Sequence, residues 1–290
     1  MTARAAFAAV ATLLLSGIAQ SQNATPAVWQ LAGSHNSVYL LGSVHALRND
    51  GKPLPDSLMR AYQDADILYM EIDLDDLDPT EVQQFTLSHG ILPPEQTLAG
   101  VMGAERYARA KSEAQKLGLD LEQLARLEPW VVAISAIQAQ VMRLGLDPSA
   151  GIEQRLVENA VRDGKEVRGL ETVGDQFGVF DALSLEKQQE FLLMSLEEAV
   201  DLPQDIDKLI TAWSRGDVTT LEQLMAEGFE QFPDLYQPLV VARNRNWTQQ
   251  ISALLDDDRD YLIVVGVLHL TGPDSVIEML KAQGHTARRQ

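Results

Sequence analysis

Twice the chain runs an apolar, β-type segment into Gly-x-x-His, as "LLGSVHAL" at 40–47 and as "VVGVLHLT" at 264–271. A glycine at a strand end permits a sharp turn or a close backbone approach, so each motif delivers an imidazole, His45 or His269, to the end of a strand. Because the motifs sit near opposite ends of the sequence, they can share a site only if the chain closes on itself. The first and last strands must then enter one sheet. In open α/β sheets the C-terminal edge of the strands is where ligands bind.

The rest of the sequence is compatible with that closure. Short β-type runs bounded by turn residues occur at 28–31, 38–43, 67–72, 166–169 and 261–267. Helical patterns fill the intervals at 104–118, 129–145, 152–163, 185–200, 206–215, 219–227 and 235–255. Strands at both ends with helices between predict an α/β (or α+β) fold. Its central mixed sheet is built from N- and C-terminal segments and flanked by helices, with a helical insertion lobe from about 79–147 and 174–231. Residues 25–290 read as a single domain, since no repeat of fixed period and no low-complexity tract divides them.

Two acids stand where the histidines do. Glu71 ends the run "ILYME" and Glu171 ends "VRGLE". A carboxylate directly after a buried strand requires a partner, because an unpaired charge away from water is costly. Four polar side chains at four strand ends can meet in one crevice. Two neutral imidazoles with one or two carboxylates suit zinc, manganese or cobalt, with positions left for water and substrate. Spacing alone leaves the plainer alternatives open: a histidine bonded to backbone, an acid capping a helix or pairing with a base.

Arg243 opens "RNRNW" on a predicted helix and is a candidate to clamp a carboxylate or a developing oxyanion, with a surface ion pair as the alternative. His35, His89 and His285 stand in polar or turn-like contexts and read as surface residues. The acidic run "DLDDLD" at 73–78 lacks the glycine and final glutamate of a calcium loop and reads as a solvated turn. No Gly-x-Ser-x-Gly elbow, no Gly-x-Gly-x-x-Gly or Walker loop and no cysteine is present, which removes the common nucleophile and nucleotide motifs.

Composition narrows the partners. With 23 basic against 42 acidic residues the net charge is -19, which opposes nucleic-acid binding and docking on anionic lipid. The N-terminus carries Arg4, an apolar segment and then small residues. That is the layout of a secretory signal peptide over 1–19, with cleavage expected between 19 and 24. The segment is too short to favour a mature membrane span, no lipobox cysteine stands near it, and the expected location is periplasmic or secreted. Without cysteine the domain must be held by its core alone.

Three blocks together resemble the TraB/GumN family. The first is "YLLGSVHALRNDGKPLPDSLMRAYQDADILYMEIDL", the second "SAGIEQRLVENAVRDGKEVRGLETVGDQF", and the third runs from "RNRNW" through "YLIVVGVLHLTGPDSVIEMLKAQGHTARR". They stand in the family's order at both ends and the centre of the chain. The resemblance extends to Tiki-type metalloproteases, erythromycin-esterase-like enzymes and ChaN-like haem-binding proteins. It implies catalytic, divalent-metal-dependent positions at His45, Glu71 and His269, with Glu171 and Arg243 as further matching polar residues. The function it implies is a metal-dependent peptidase- or esterase-like hydrolase acting on a peptide or small-molecule substrate. A metal-independent esterase using histidine and glutamate directly is the first alternative. A non-catalytic periplasmic binding protein, for haem or another ligand, is the second.

Overall fold

The computed structural model describes residues 25–44, 53–75, 78–146, 151–230 and 233–290. The expected signal peptide and His45 lie outside them. Six strands form one sheet: β1 Val28–Ala32, β2 Ser37–Ser43, β3 Ile67–Ile72, β4 Glu166–Glu171, β5 Tyr261–Gly266 and β6 Arg288–Arg289. Their order is β4-β3-β5-β2-β1-β6. β3 pairs in parallel with both β4 and β5, and β5 in parallel with β2, whereas β1 runs antiparallel to β2 and β6 to β1. The late strand β5 is thus inserted between β3 and β2, so the chain closes on itself as the paired motifs require.

Period-two alternation sends each central strand's side chains to two different cores. On β5, Leu262 and Val264 face one cluster, while Tyr261, Ile263 and Val265 face the other. Eleven helices and two irregular turns, among the described residues, cover both faces. They are α1 Asp56–Asp64, α2 Pro79–His89, α3 Leu98–Lys116, α4 Pro129–Arg143, α5 Ile152–Asp163, α6 Val173–Asp181, α7 Leu185–Ser214, α8 Val218–Phe229, α9 Pro233–Tyr236, α10 Arg243–Leu254 and α11 Val276–Ala282. On the second face Trp247, Ile251 and Leu255 of the α10 region pack with Val276 and Leu280 of α11. The larger cluster joins the sheet to the lobe helices α3, α4 and α7, with Trp130, Phe180 and Phe191 among its buried rings. No helix among the described residues is long and apolar enough to cross a membrane.

Two helical expectations change. The proposed break between 200 and 206 is absent, and α7 runs unbroken past Pro203. An interior proline costs a helix about 3 kcal/mol. The buried Leu192 and Leu196 before it and Ile206, Leu209, Ile210 and Trp213 after it each contribute roughly 1.5 kcal/mol or more, so packing wins. Conversely, 235–255 is not one regular helix: α9 passes into a π-helical segment, Gln237–Ala242, before α10 begins. Pro238 in that segment has no N–H to give to the ordinary ladder, and wide turns of this kind often mark functional positions.

The glycine of the first motif has a definite steric cause. A Cβ on Gly42 would stand 2.7 Å from Val267 Cγ2 and 3.0 Å from Val267 Cα. Val267 is the residue that follows Gly266, so the two Gly-x-x-His segments pack directly against each other. The carbonyl of Gly42 also accepts the Trp213 indole N–H at 2.8 Å, which ties α7 to the end of β2.

Candidate active site

Because β4, β3, β5 and β2 are parallel, their C-terminal ends share one edge. β4 contributes Glu171 as its last residue and β3 contributes Glu71 one residue before its end. β5 ends in Gly266, and the following 3-10 turn Val267–Leu270 carries His269. The π-helical segment delivers Arg243 to the same edge at the first turn of α10.

Arg243 is the hub. Its side chain is 6% exposed, those of Glu71 and Glu171 7% and 5%. Nε donates to Glu171 at 2.9 Å, and Nη2 donates to Glu71 at 2.6 Å and Glu171 at 2.8 Å. Nη1 donates to the Leu239 carbonyl at 3.3 Å and to His269 Nε2 at 3.2 Å. All five guanidinium N–H groups are therefore engaged. Trp247, fully buried one helical turn along α10, places its ring 4.7 Å from the guanidinium carbon and 4.5 Å from the His269 ring centre.

The His269 tautomer follows from donor chemistry. Asn244 Nδ2 donates to the Asp274 carbonyl at 2.7 Å, which leaves its Oδ1 facing His269 Nδ1 at 2.6 Å. An amide oxygen only accepts and a guanidinium only donates, so Nδ1 bears the proton and Nε2 the lone pair. Glu71 is held from other sides too: its Oε1 accepts the Gly266 N–H at 2.7 Å, and its Oε2 accepts from Gln176 at 3.1 Å. Gln176 is set by a capping box at the start of α6, where the Thr172 and Asp175 side chains each accept the other's backbone N–H.

Burial pushes the Glu171 carboxyl up from its ordinary value, opposed by the Arg243 charge and hydrogen bonds and reinforced by the neighbouring Glu71. Burial also works against the Arg243 charge, but the two carboxylates outweigh it and hold the guanidinium charged. At the end of β2, the buried Ser43 hydroxyl contacts Glu153 in the first turn of α5 and the Val265 carbonyl at 3.1 Å.

Four of the five residues singled out from sequence, Glu71, Glu171, Arg243 and His269, thus meet in one cluster. His45, the fifth, lies two residues past Ser43 and outside the described residues. Of the other histidines, His35 and His89 are exposed, while His285 is partly buried and meets the Ser252 hydroxyl at 3.1 Å. Sequence reasoning did not single out Asn244, Gln176, Trp247 or the Ser43–Glu153 pair. Asn244 stands beside Arg243 in "RNRN", and Glu153 in "GIEQ" is a second acid near a helix start; neither pattern by itself specifies a contact.

Residues 27–289 match the TraB/PrgY/gumN family. The chain belongs to that family. Among its relatives, the protein YbaP of Escherichia coli K12 is 24% identical over 256 residues, covering 88% of this chain and 92% of YbaP. A protein of Treponema pallidum is 23% identical over 266 residues, covering 87% and 79%. The metalloprotease TIKI2 of Danio rerio is 23% identical over 303 residues, covering 85% of this chain and 57% of TIKI2. No solved structure matches the chain.

Proposed function

We propose that this family member is an exported hydrolase of peptide or ester bonds acting at the Glu71–Glu171–Arg243–His269 cluster. His45, His269 and Glu71 are the proposed ligands of a divalent ion, manganese, cobalt or zinc. The observation that carries the reading is the His269 tautomer: Asn244 Oδ1 accepts from Nδ1–H, so the Nε2 lone pair is left to face Arg243 Nη1, on the guanidinium that also binds the buried Glu71 and Glu171. A polar group behind the ring is how proteins orient a metal-binding imidazole, and nitrogen with carboxylate oxygen is a donor set these metals accept. Among the described residues no three His, Asp or Glu side chains group as ligands, so the proposal needs His45 as a donor. The relative TIKI2 is named a metalloprotease, which points to the same chemistry.

When bound, such an ion supplies Lewis-acid chemistry and a water of lowered pKa. The chain's own residues divide the remaining work. Glu171, pushed up by burial, is the proton acceptor and donor of the site. Arg243 has every N–H committed, so its role is to hold both carboxylates and the imidazole in register rather than to grip substrate directly. Glu71 is fixed by Gly266, Gln176 and Arg243 on three sides.

Calorimetry with manganese, cobalt and zinc on the wild type, His45→Ala and His269→Ala tests the metal, alongside a panel of peptide and ester substrates. Binding and hydrolysis lost in both variants support the proposal. No binding by the wild type sinks the metal form, and hydrolysis untouched in His269→Ala sinks the site. One observation favours a second reading, metal-independent acid–base hydrolysis: the cation lying between the two carboxylates and His269 is Arg243 itself. Activity that resists chelators yet disappears in His269→Ala would select it.

A further inference from the structure

Beside the turn that carries His269 lies an open groove of about 490 Å³, bounded by β1, α8, the loop after His269 and α11. The volume is within the range of small-ligand sites. Trp29, Val218, Leu270 and Ile277 supply apolar wall, and Glu222 and Glu278 bring acid to it. Glu278 is shared with Lys281 at 2.9 Å, whereas the exposed Glu222 enters no ion pair among the described residues. Around them the whole chain carries a net charge of -19, a field that concentrates cations and repels anions.

The groove is linked to the cluster through one loop. Thr271, Gly272, Pro273 and Ser275 line it, and within that loop Asp274 is held by Asn244 through its carbonyl and by Tyr236 through its carboxylate at 3.0 Å. Asn244 is the residue that fixes His269. A ligand pressing on this loop therefore bears on the His269 hydrogen bond.

We infer that the groove is the substrate subsite for a basic, apolar peptide segment: an apolar side chain against Trp29, Leu270 and Ile277, followed by a lysine or arginine at Glu222. As an assignment of substrate class it rests on the hydrolase reading. Its binding test does not, because no turnover is needed.

The probe is acetyl-Leu-Lys-Leu-amide, with Gln and Glu replacing Lys in two comparison peptides, titrated into labelled full-chain protein and followed by NMR. Shifts at the Trp29 indole and the Leu270 and Ile277 methyls are expected, with a Kd on the order of 1 mM. The Lys peptide should bind about two- to fivefold more tightly than the Gln peptide, the scale of one exposed ion pair, and the Glu peptide most weakly. Glu222→Gln should erase the Lys preference, Ile277→Ala should weaken all three peptides, and Glu81→Gln on distant α2 should change nothing. The His269 ring nitrogens should shift with the same binding curve. The proposal is overturned if the groove signals stay still at about 10 mM peptide, if the preference survives Glu222→Gln, or if Glu81→Gln reduces it equally. Groove binding that leaves His269 unmoved overturns the assignment to this site's substrate. Loss of the hydrolase reading, by contrast, shows as absent turnover with peptide binding intact.

Discussion

Replacing Arg243 by methionine keeps much of the side chain's length and apolar stem but removes the charge that Glu71 and Glu171 share. Both carboxylates are over nine-tenths buried and meet the guanidinium at 2.6 and 2.8 Å. Deleting one partner of a buried ion pair costs about 3–5 kcal/mol, most of it the cost of the charge left behind. For a domain above two hundred residues, where 1 kcal/mol moves Tm by about 2–4 °C, the expected loss is roughly 6–20 °C near neutral pH. The penalty must also depend on pH. Without the guanidinium the folded-state pKa of Glu171 rises further, so the folded variant binds a proton that the unfolded chain has released. Stability relative to wild type therefore falls as pH rises through the unfolded carboxylate pKa and beyond. Thermal and denaturant unfolding at pH 5 and pH 8 should show the larger deficit at pH 8. Restoring charge balance with Glu71→Gln and Glu171→Gln in the same chain should recover much of it. A loss below about 1 kcal/mol, or one equal at the two pH values, would refute the claim that the guanidinium holds two buried charges.

Three further outcomes follow from the same geometry. In wild-type protein the ¹⁵N shifts of His269 should report the Nδ1–H tautomer, and Asn244→Leu should mix the tautomers; an Nε2–H signal in wild type would contradict the donor assignment. Glu171, whose folded pKa is raised above its ordinary 4.5, keeps its proton longer in the folded state than in the unfolded one. Its contribution to stability is therefore present below pH 4.5 and lost as pH rises through the folded value. Glu171→Gln should flatten that part of the stability–pH curve, and an unchanged slope would count against it. Gly42→Ala drives a methyl into Val267 and should cost about 1–3 kcal/mol, recovered in part by Val267→Ala; a neutral Gly42→Ala would mean the two motif segments do not touch.

The sheet was legible because its central strands are buried on both faces and read as continuous apolar runs. The 67–72 run matches β3, and the 38–43 and 261–267 runs match β2 and β5 to within one residue at an end. Helix boundaries were legible where chemistry marks them. The pattern over 152–163 coincides with α5, and the pattern beginning at 104 starts just after Gly103, whose φ of 73° breaks helical geometry inside α3. What misled was tertiary: packing carried α7 through a proline, and a π-helical segment interrupted an apparently regular run before α10. Local pattern has no access to either balance.

For the site, sequence located the strand ends and offered Arg243 as a carboxylate clamp, but did not show that it would join both acids to the imidazole. Period and punctuation place Glu71, Glu171 and His269 at strand termini, and parallel pairing then aligns those termini along one edge. Nothing in "RNRNW" states which of its polar residues turns inward; that depends on the phase of α10, which the π-helical segment resets by widening the turn before it. The reset puts Arg243 among the acids and Asn244 against the imidazole, while Arg245 and Asn246, one and two residues on from Asn244, remain exposed. The cluster is thus the product of two independent events, strand register and helix phase. A one-residue change in the π-helical segment would rotate Arg243 out by about 100° while leaving every strand-end residue in place. Deleting Val240 or Val241 should therefore abolish the His269 signature and lower stability on the scale of Arg243→Met, with the strand circular dichroism intact; a deletion variant that keeps the Nδ1–H signal would show that the phase of this helix does not build the site.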